Sequence, residues 1–463
     1  MMPAPNAHVL STGIPRTPAE RGLAEAFAKA AKSLPGTGWV GALRREAMQR
    51  FEATGLPTRR VESFKYTDLR ERLKNAYPPF AAEATSRPDA AALTLALGPL
   101  GTLDAARLVF VDGAFAPEVS QLDALGDSAE ITPLAPLLDK APAWLESKFA
   151  PGRIGDENAL TRLNTAFMTD GILLKIKPGK SAAKAVLIVE VRSSATPRMN
   201  STRHIVAVEA GASLTLVEAR IALPGASADG ITNTLTDVTV ADGATLHHVA
   251  ATVGDHGASR FTRWTANVGA DATYRAFQLT AGVPLMRNEL NVTLAGENSR
   301  LDISGAFLAR GTSHIDTTLV VDHTVKHCES RELFKGVLDD RARGVFQGKI
   351  IVRPGADKTD GKQMARALML SEDAEFDSKP ELEIYADDVA CGHGATSAAL
   401  DDDMMFYCRS RGIPEAEARA LLIEAFIGDA IDKIESEPVR EAFMEMARAW
   451  LSQASGDTAR STP

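Results

Sequence analysis

The spacing of apolar residues changes twice along this chain. Over roughly the first third, apolar positions recur at intervals of three and four. AERGLAEAFAKAAKSL, from Ala19, and WVGALRREAMQRFEATGLP, from Trp39, carry that spacing, which gathers their apolar side chains on one helical face. Gly55 and Pro57 end the second segment. RRVESFKYTDLRERL, from Arg59, reads as a loop running into a short helix, and the stretch from Pro78 to Pro99, rich in Ala, Pro and Leu, as a connector. ITPLAPLLDKAPAWLESKFA, from Ile131, and DENALTRLNTAFMTD, from Asp156, return to helical spacing, with Asp156 as the candidate N-cap.

From Gly171 the period falls to two. ILLKIKPG, AVLIVEVR, HIVAVEAGASLTLVEAR, TLTDVTVADGATLHHVAAT and FTRWTANVGADATYRAFQL read as strands broken by short Gly/Asp turns. One turn text recurs, at Gly211-Ala-Ser-Leu, Gly243-Ala-Thr-Leu, Gly269-Ala-Asp-Ala and Gly296-Glu-Asn-Ser, with 32, 26 and 27 residues from one glycine to the next. A repeating strand–turn–strand unit of that length predicts a β-solenoid, in which each coil buries its face on its neighbours. An antiparallel sandwich, which also has many short strands, is the alternative. The strand pattern continues through GVFQGKIIVRPGA, from Gly344, to LEIYADDV, from Leu382.

Helical spacing returns near the C-terminus. Pro414 suits a first helical position. Leu421, Leu422, Ala425, Phe426, Ala430, Ile431 and Ile434 form one apolar stripe, and Val439, Phe443, Met446, Trp450 and Leu451 a second. Such helices either cap the solenoid core or dock a partner. The pattern divides the chain into a mostly helical region (1–170), a β core (171–400) and a helical end (401–463), with the tail SGDTARSTP expected to be disordered.

Composition narrows the function classes. With 463 residues, 45% of them apolar and 24% charged, the chain has the make-up of an ordinary globular protein large enough for two or three domains. The net charge of −9 speaks against nonspecific nucleic-acid binding as its main work. Three cysteines, Cys328, Cys391 and Cys408, make no disulfide framework and fit a reducing compartment. The N-terminal residues lack an apolar core of signal-peptide length, and no run of 18 apolar residues exists, so the expected location is the cytoplasm with no membrane span.

Candidate chemistry concentrates in KPELEIYADDVACGHGAT, from Lys379. In an extended segment Cys391 and His393 share a face, with α-carbons about 7 Å apart. That separation is wide for gripping one ion but suits two soft donors facing a partner surface, and Gly392 and Gly394 let another backbone come close. The structural alternative is a strand end with a packed cysteine and a capped histidine. Other motifs fail their context. Gly36-Thr-Gly38-Trp-Val-Gly41 follows a helix and not a strand, against a dinucleotide loop. GADKTDGK, from Gly355, has five residues between its glycines, and Gln363 stands where a phosphate loop needs Ser or Thr, so no nucleotide is expected on this chain. His323-Thr-Val-Lys-His327-Cys328 lacks a second ligand cluster, His247 and His248 point to opposite faces of a strand, and Asp401-Asp402-Asp403 reads as a solvated helix lead-in. No compact carboxylate constellation supports a carbohydrate-active solenoid enzyme.

The run from Asp322 to about Phe426 resembles the SufB/SufD family of iron–sulfur cluster assembly proteins. The resemblance lies in DHTVKHCESRELFKGVLDDRARGVFQGKIIV, KTDGKQ, LMLSEDAEFDSKPELEIYADDVACGHGAT and DDDMMFYCRSRGI, and more loosely in RRVESFKYTDL near the N-terminus. His393-Gly394-Ala395-Thr396, where SufB-type chains read H-E-A-T, is similar to the SufD side of the family. The resemblance implies a mainly β protein, a right-handed parallel β-helix core between helical ends. It implies a SufB-like paralogue paired near the C-terminal end of the helix, and a SufC-like ATPase on the C-terminal helices, where Leu421, Leu422, Phe426 and Ile431 would serve docking. It further implies a non-catalytic scaffold with transient iron or an iron–sulfur cluster at the SufB interface, held by His393, with Cys391 either assisting or only packing. Self-association as a homodimer and a purely structural adaptor stay open as alternatives.

Overall fold

The computed structural model describes residues 15–36, 38–79, 88–140, 145, 148–149, 158–254 and 257–458. Its core is a two-sheet solenoid of about eight coils. Successive strands alternate between the sheets, so strand neighbours within a sheet are never consecutive in sequence except at the N-terminal end. From Ala185–Arg192 onward the pairing is parallel and in register. One inward column runs Trp264, Leu290, Leu319, Gly348 and Pro380, one residue per coil. This parallel, non-consecutive pairing rules out the antiparallel sandwich.

Alternation explains the interior. Inward positions such as Val206, Leu214, Val238, Leu246, Trp264 and Ile303 pack into a single core. Phe334 and Phe346 fill it farther along, their ring centroids 4.8 Å apart. Outward positions differ between the sheets: those under the C-terminal helices are apolar, as at Val217, Phe277, Leu308 and Val337, whereas the other sheet carries outward polar residues such as Arg203, Arg263, Arg287 and Asp316, buried by their neighbours.

The turns between coils stack as well. Gly211, Gly243, Asp271, Asn298, His327 and Lys358 all adopt positive φ, between +54° and +65°. Their amides bond from coil to coil, as in Gly243 N–H to Ala270 O at 2.8 Å and His327 N–H to Asp357 O at 3.0 Å. The repeat is therefore real but shifted in its later copies. Asp271 and Asn298 take the left-handed position that Gly211 and Gly243 hold, whereas Gly269 and Gly296 lie two residues earlier. Short polar side chains tolerate that conformation, so glycine is not needed there.

Around the core lie helices α1 (Pro18–Ala30), α2 (Trp39–Thr54), α3 (Leu69–Arg72), α4 (Ala90–Leu97), α5 (Ala159–Phe167), α6 (Asp402–Ser410), α7 (Glu415–Ile431) and α8 (Glu437–Thr458). The first of these carries a capping box between Thr17 and Glu20. With α2 and α5 it covers one sheet, where Leu23, Phe51 and Phe167 meet Met199, Ile231, Phe261 and Leu285. Asn158 caps α5 by accepting from Leu160 N–H. Asp156 lies outside the described residues.

Three local expectations are corrected. The connector between Pro78 and Pro99 contains α4, capped by Asp89, because a run of Ala and Leu is strongly helix-favouring; residues 80–87 lie outside the description. The segment from Ile131 is not a helix at its start. Ala129–Pro133 is a strand and Ala135–Leu138 a 3₁₀ turn, since Pro133 and Pro136 remove the amides an α-helix would need. The last helix runs on through SGDT to Thr458, and 459–463 lie outside the description. The solenoid also takes in a strand earlier than Gly171, at Ala105–Val111, which pairs in parallel with Ala185–Arg192.

Helices α7 and α8 lie along the flank of the other sheet. Ile423, Ile427, Ile431, Phe443 and Trp450 share a core with Val217, Phe277, Leu308 and Val337. They close no end of the solenoid. The last coil, strands Glu375–Ile384 and Ala390–Ala398, consequently has no fully buried residue, in contrast to the coils before it. No helix among the described residues is long and apolar enough to cross a membrane.

Candidate functional site at the open end of the solenoid

Cys391 and His393 both stand on the final strand, at inward-facing positions of the uncovered coil. Register sets what lies beneath them. Cys391 sits over Gly361, which sits over Ser330; His393 sits over Gln363, which sits over Glu332. Cys391 is half-buried and touches the small cluster of Ile350, Val352 and Ala356. Burial pushes its thiol above the usual range; the Gly361 backbone works against this, while the Asp360 and Glu332 charges add to it. The free chain therefore presents a thiol there, which a soft metal would have to deprotonate. His393 is exposed, and its ring has no hydrogen bond among the described residues.

No group of three or more His, Cys, Asp or Glu side chains that could hold a metal occurs among the described residues. Cys391 and His393 thus form at most a partial ligand set that needs donors from elsewhere.

The other sequence candidates have structural roles. Cys328 is buried, its thiol bonded with Ser299 Oγ at 3.2 Å and close to Gly296 O at 3.4 Å. His323 is buried against the Ser330 hydroxyl at 3.0 Å, and His327 is a turn residue. His247 and His248 do point opposite ways. The former faces Glu435, and the latter lies inside the solenoid, bonded to Glu218 at 3.0 Å and to the Tyr274 hydroxyl at 3.0 Å. That interior holds an ionic cluster the sequence did not signal, in which Arg220 joins Glu190 and Glu218. Burial opposes the charge on Glu190, but the His204 contact and the Arg220 charge outweigh it and hold the carboxyl at about 2. These carboxylates are paired, and the space that adjoins them among the described residues is a small cavity lined by Glu190, Phe110, Thr202 and Thr234.

A strap formed by the RRVESFKYTDL segment runs across the outside of the same end. Arg287 and Gln347 both donate to Ser63 O, at 2.8 and 3.1 Å. Phe64 lies under the Arg287 guanidinium at 3.8 Å, Thr67 bonds His314 and Asp316, and Lys379 on the last coil pairs with Glu62 at 2.8 Å. None of Arg287, Asp316, Glu332 or Gln363 was picked out as a site residue from the sequence. For Glu332 the available signal was a charged residue at an inward parity, as in S-R-E-L-F; Arg287 and Asp316 face outward and offered none.

The docking candidates separate into two kinds. Ile431 is fully buried against the solenoid, so it is corrected from a partner contact to an anchor of α7. Phe426 is half-buried, with Lys335 Nζ 4.6 Å from its ring centre and bonded to its carbonyl at 2.6 Å. Leu422 is half-buried and Leu421 is 44% exposed. Beside them, on α6, Phe406 is 74% and Tyr407 56% exposed.

Comparison with known proteins accounts for both parts of the chain. Residues 191–426 match the family described as SUF system FeS cluster assembly, SufBD core domain, and residues 25–188 match the SufBD protein N-terminal region. The chain is 31% identical over 403 residues to the iron–sulfur cluster assembly protein SufD of Escherichia coli, covering 85% of this chain and 89% of that one. It is 32% identical over 389 residues to an iron–sulfur cluster assembly SufBD family protein of Synechocystis, covering 82% and 84%. It is also similar to SufD of Bacillus subtilis, with 30% identity over 296 residues, 63% of this chain and 66% of the relative.

Proposed function

The chain belongs to the SufBD family of iron–sulfur cluster assembly proteins, and from that premise we propose that it is a non-catalytic scaffold subunit of the SufD kind. It pairs with a SufB-like paralogue through the open last coil and carries a SufC-like ATPase on α6 and α7. The observation that carries this reading is the uncovered final coil, where the half-buried Cys391 and the exposed His393 meet solvent.

Strands Glu375–Ile384 and Ala390–Ala398 are the edges of their sheets, with backbone groups free to pair with another chain. Ile384 and Tyr385, 42% and 56% exposed, add apolar surface there. Pairing at that end places His393, with Cys391 beside it, against ligands from the partner. Iron or a nascent cluster is then the cargo, held by a split ligand set, and it leaves when the interface opens. Imidazole and thiolate are both established ligands of such clusters. Closure of two ATPase subunits on α6 and α7 would supply the opening, provided ATP binds the closed arrangement more tightly. The same edge also suits a second copy of this chain, so a homodimer is the competing partner state. The cytoplasm is the compartment this reading assigns.

Two outcomes test the proposal. In a complex purified with its partners, His393→Ala is expected to remove most of the bound iron while the subunits stay together; iron per complex is measured by a colorimetric chelator assay. Unchanged iron and unchanged cluster transfer would leave a purely structural adaptor. The double substitution Ile384→Asp with Tyr385→Asp is expected to abolish recovery of the SufB-like subunit and to leave the thermal midpoint of the chain within a few degrees, because both side chains are already exposed. Undiminished recovery on size exclusion would move the interface elsewhere.

A further inference from the structure

The residue directly beneath His393 has a buried polar atom with no use inside the chain. Gln363 is 2% exposed, yet its Oε1 has no hydrogen-bond partner among the described residues. Its Nε2 bonds Gly348 O across the interior at 3.3 Å. An unpaired amide oxygen in such a place is costly, so its retention needs a reason. Register puts Gln363 next to His393 on the adjoining strand, about 4.8 Å away, with both side chains on the inward face. The slot for the amide exists because residue 348 is glycine. A Cβ there would lie 2.2 Å from Gln363 Oε1 and 2.5 Å from its Cδ.

A ligating histidine usually donates its second ring N–H to a fixed acceptor, which selects the tautomer and the ring orientation. His393 has no such acceptor in its own strand, and the unused oxygen below it has no donor. We propose that Gln363 is the positioning residue for His393: the two are not bonded in this structure, and rotation of the exposed His393 ring toward the interior lets the Gln363 amide oxygen accept one ring N–H, leaving the other ring nitrogen free for iron or the nascent cluster. The inference rests on the reading of His393 as a cargo ligand. Gln363 touches no cargo itself. It acts by holding the imidazole, and Gly348 acts by leaving room for the amide.

The test uses the full chain with ¹⁵N-labelled histidine, and the assembled complex loaded with Fe²⁺ under anaerobic conditions. In the chain, His393 is expected to show one dominant neutral tautomer in long-range ¹H–¹⁵N spectra. Gln363→Met keeps the side-chain length but removes the acceptor, and Gly348→Ala displaces the amide; both are expected to return the ring to a mixture of tautomers. In the complex, both are expected to weaken Fe²⁺ retention by about 10- to 100-fold. An unchanged tautomer in Gln363→Met overturns the positioning role, whatever happens to iron. A shifted tautomer with undiminished iron overturns its link to cargo binding. His393→Ala is run alongside; if it retains iron, the ligand reading itself has failed, and the tautomer measurement still decides whether Gln363 orients the ring.

Discussion

Replacing Arg287 by methionine is expected to cost about 3–5 kcal/mol of folding stability and to release the N-terminal strap. Its side chain is fully buried and ionised between two acids, with Nε 2.8 Å from Glu289 and Nη1 bonded to Asp316. Burial works against the Arg287 charge, but Asp316 and Glu289 outweigh it and raise the guanidinium further. For Asp316 the balance goes the other way. Burial raises its carboxyl, and Arg287 only partly opposes that. Without the guanidinium, Glu289 keeps Arg263 at 2.9 Å while Asp316 loses its one cationic partner in this network. The same substitution removes the donor to Ser63 O and the cation over Phe64. Urea unfolding should show the stability loss, and hydrogen exchange should show faster amides around Ser63 to Thr67. A loss below about 1 kcal/mol, with the strap still protected, would mean the neighbouring acids are neutralised by protonation and the network is not what fastens the strap.

The second large effect depends on pH. Glu332 is buried inside the solenoid two coils below His393, and neither of its oxygens has a hydrogen-bond partner of normal geometry among the described residues. Burial pushes its carboxyl up to about 8 from an ordinary 4.5; the Ser330 hydroxyl and the Arg331 charge resist only weakly, and Asp302 adds to the rise. Below about pH 4.5 the folded and unfolded chains both hold the proton, and the site costs no ionisation. As pH rises toward 8 the unfolded chain releases the proton and the folded chain keeps it, so stability falls across that window and levels off above it. At about 1.4 kcal/mol per pH unit the ceiling is on the order of 5 kcal/mol. Glu332→Gln is neutral at every pH and is expected to remove this slope, making the variant more stable than the parent at pH 8 and nearly equal to it at pH 5. Thermal midpoints of both chains measured from pH 5 to 8.5 check this. Parallel curves would show that Glu332 is ionised in the folded chain.

Both sites illustrate what a sequence hides. The inward glutamate at 332 and the outward arginine at 287 each look like ordinary charges in an alternating strand. The partners of the arginine lie 29 and 224 residues away, at Asp316 and Ser63. Ile431 and Leu421 read as members of one apolar stripe, yet one is fully buried and the other 44% exposed. A helical stripe says which residues seek cover and not whether the cover is the chain's own sheet or a partner. Likewise Cys391 and His393 were found through their text and parity, whereas Gln363 gave no local signal because its meaning is the histidine one strand away.

By itself the sequence determined the solenoid, its helical ends and the Cys391–His393 face. Period-two alternation, the recurring turns and the helical stripes are all local, and each coil repeats the same local solution. Only the tertiary structure decided where the solenoid stays open. Coverage is a long-range matter: α1, α2 and α5 take one sheet, α7 and α8 take the other, and none reaches the last coil. The open end of this solenoid is thus the place where packing stops, and that follows from which surfaces the helices bury and which they leave to solvent.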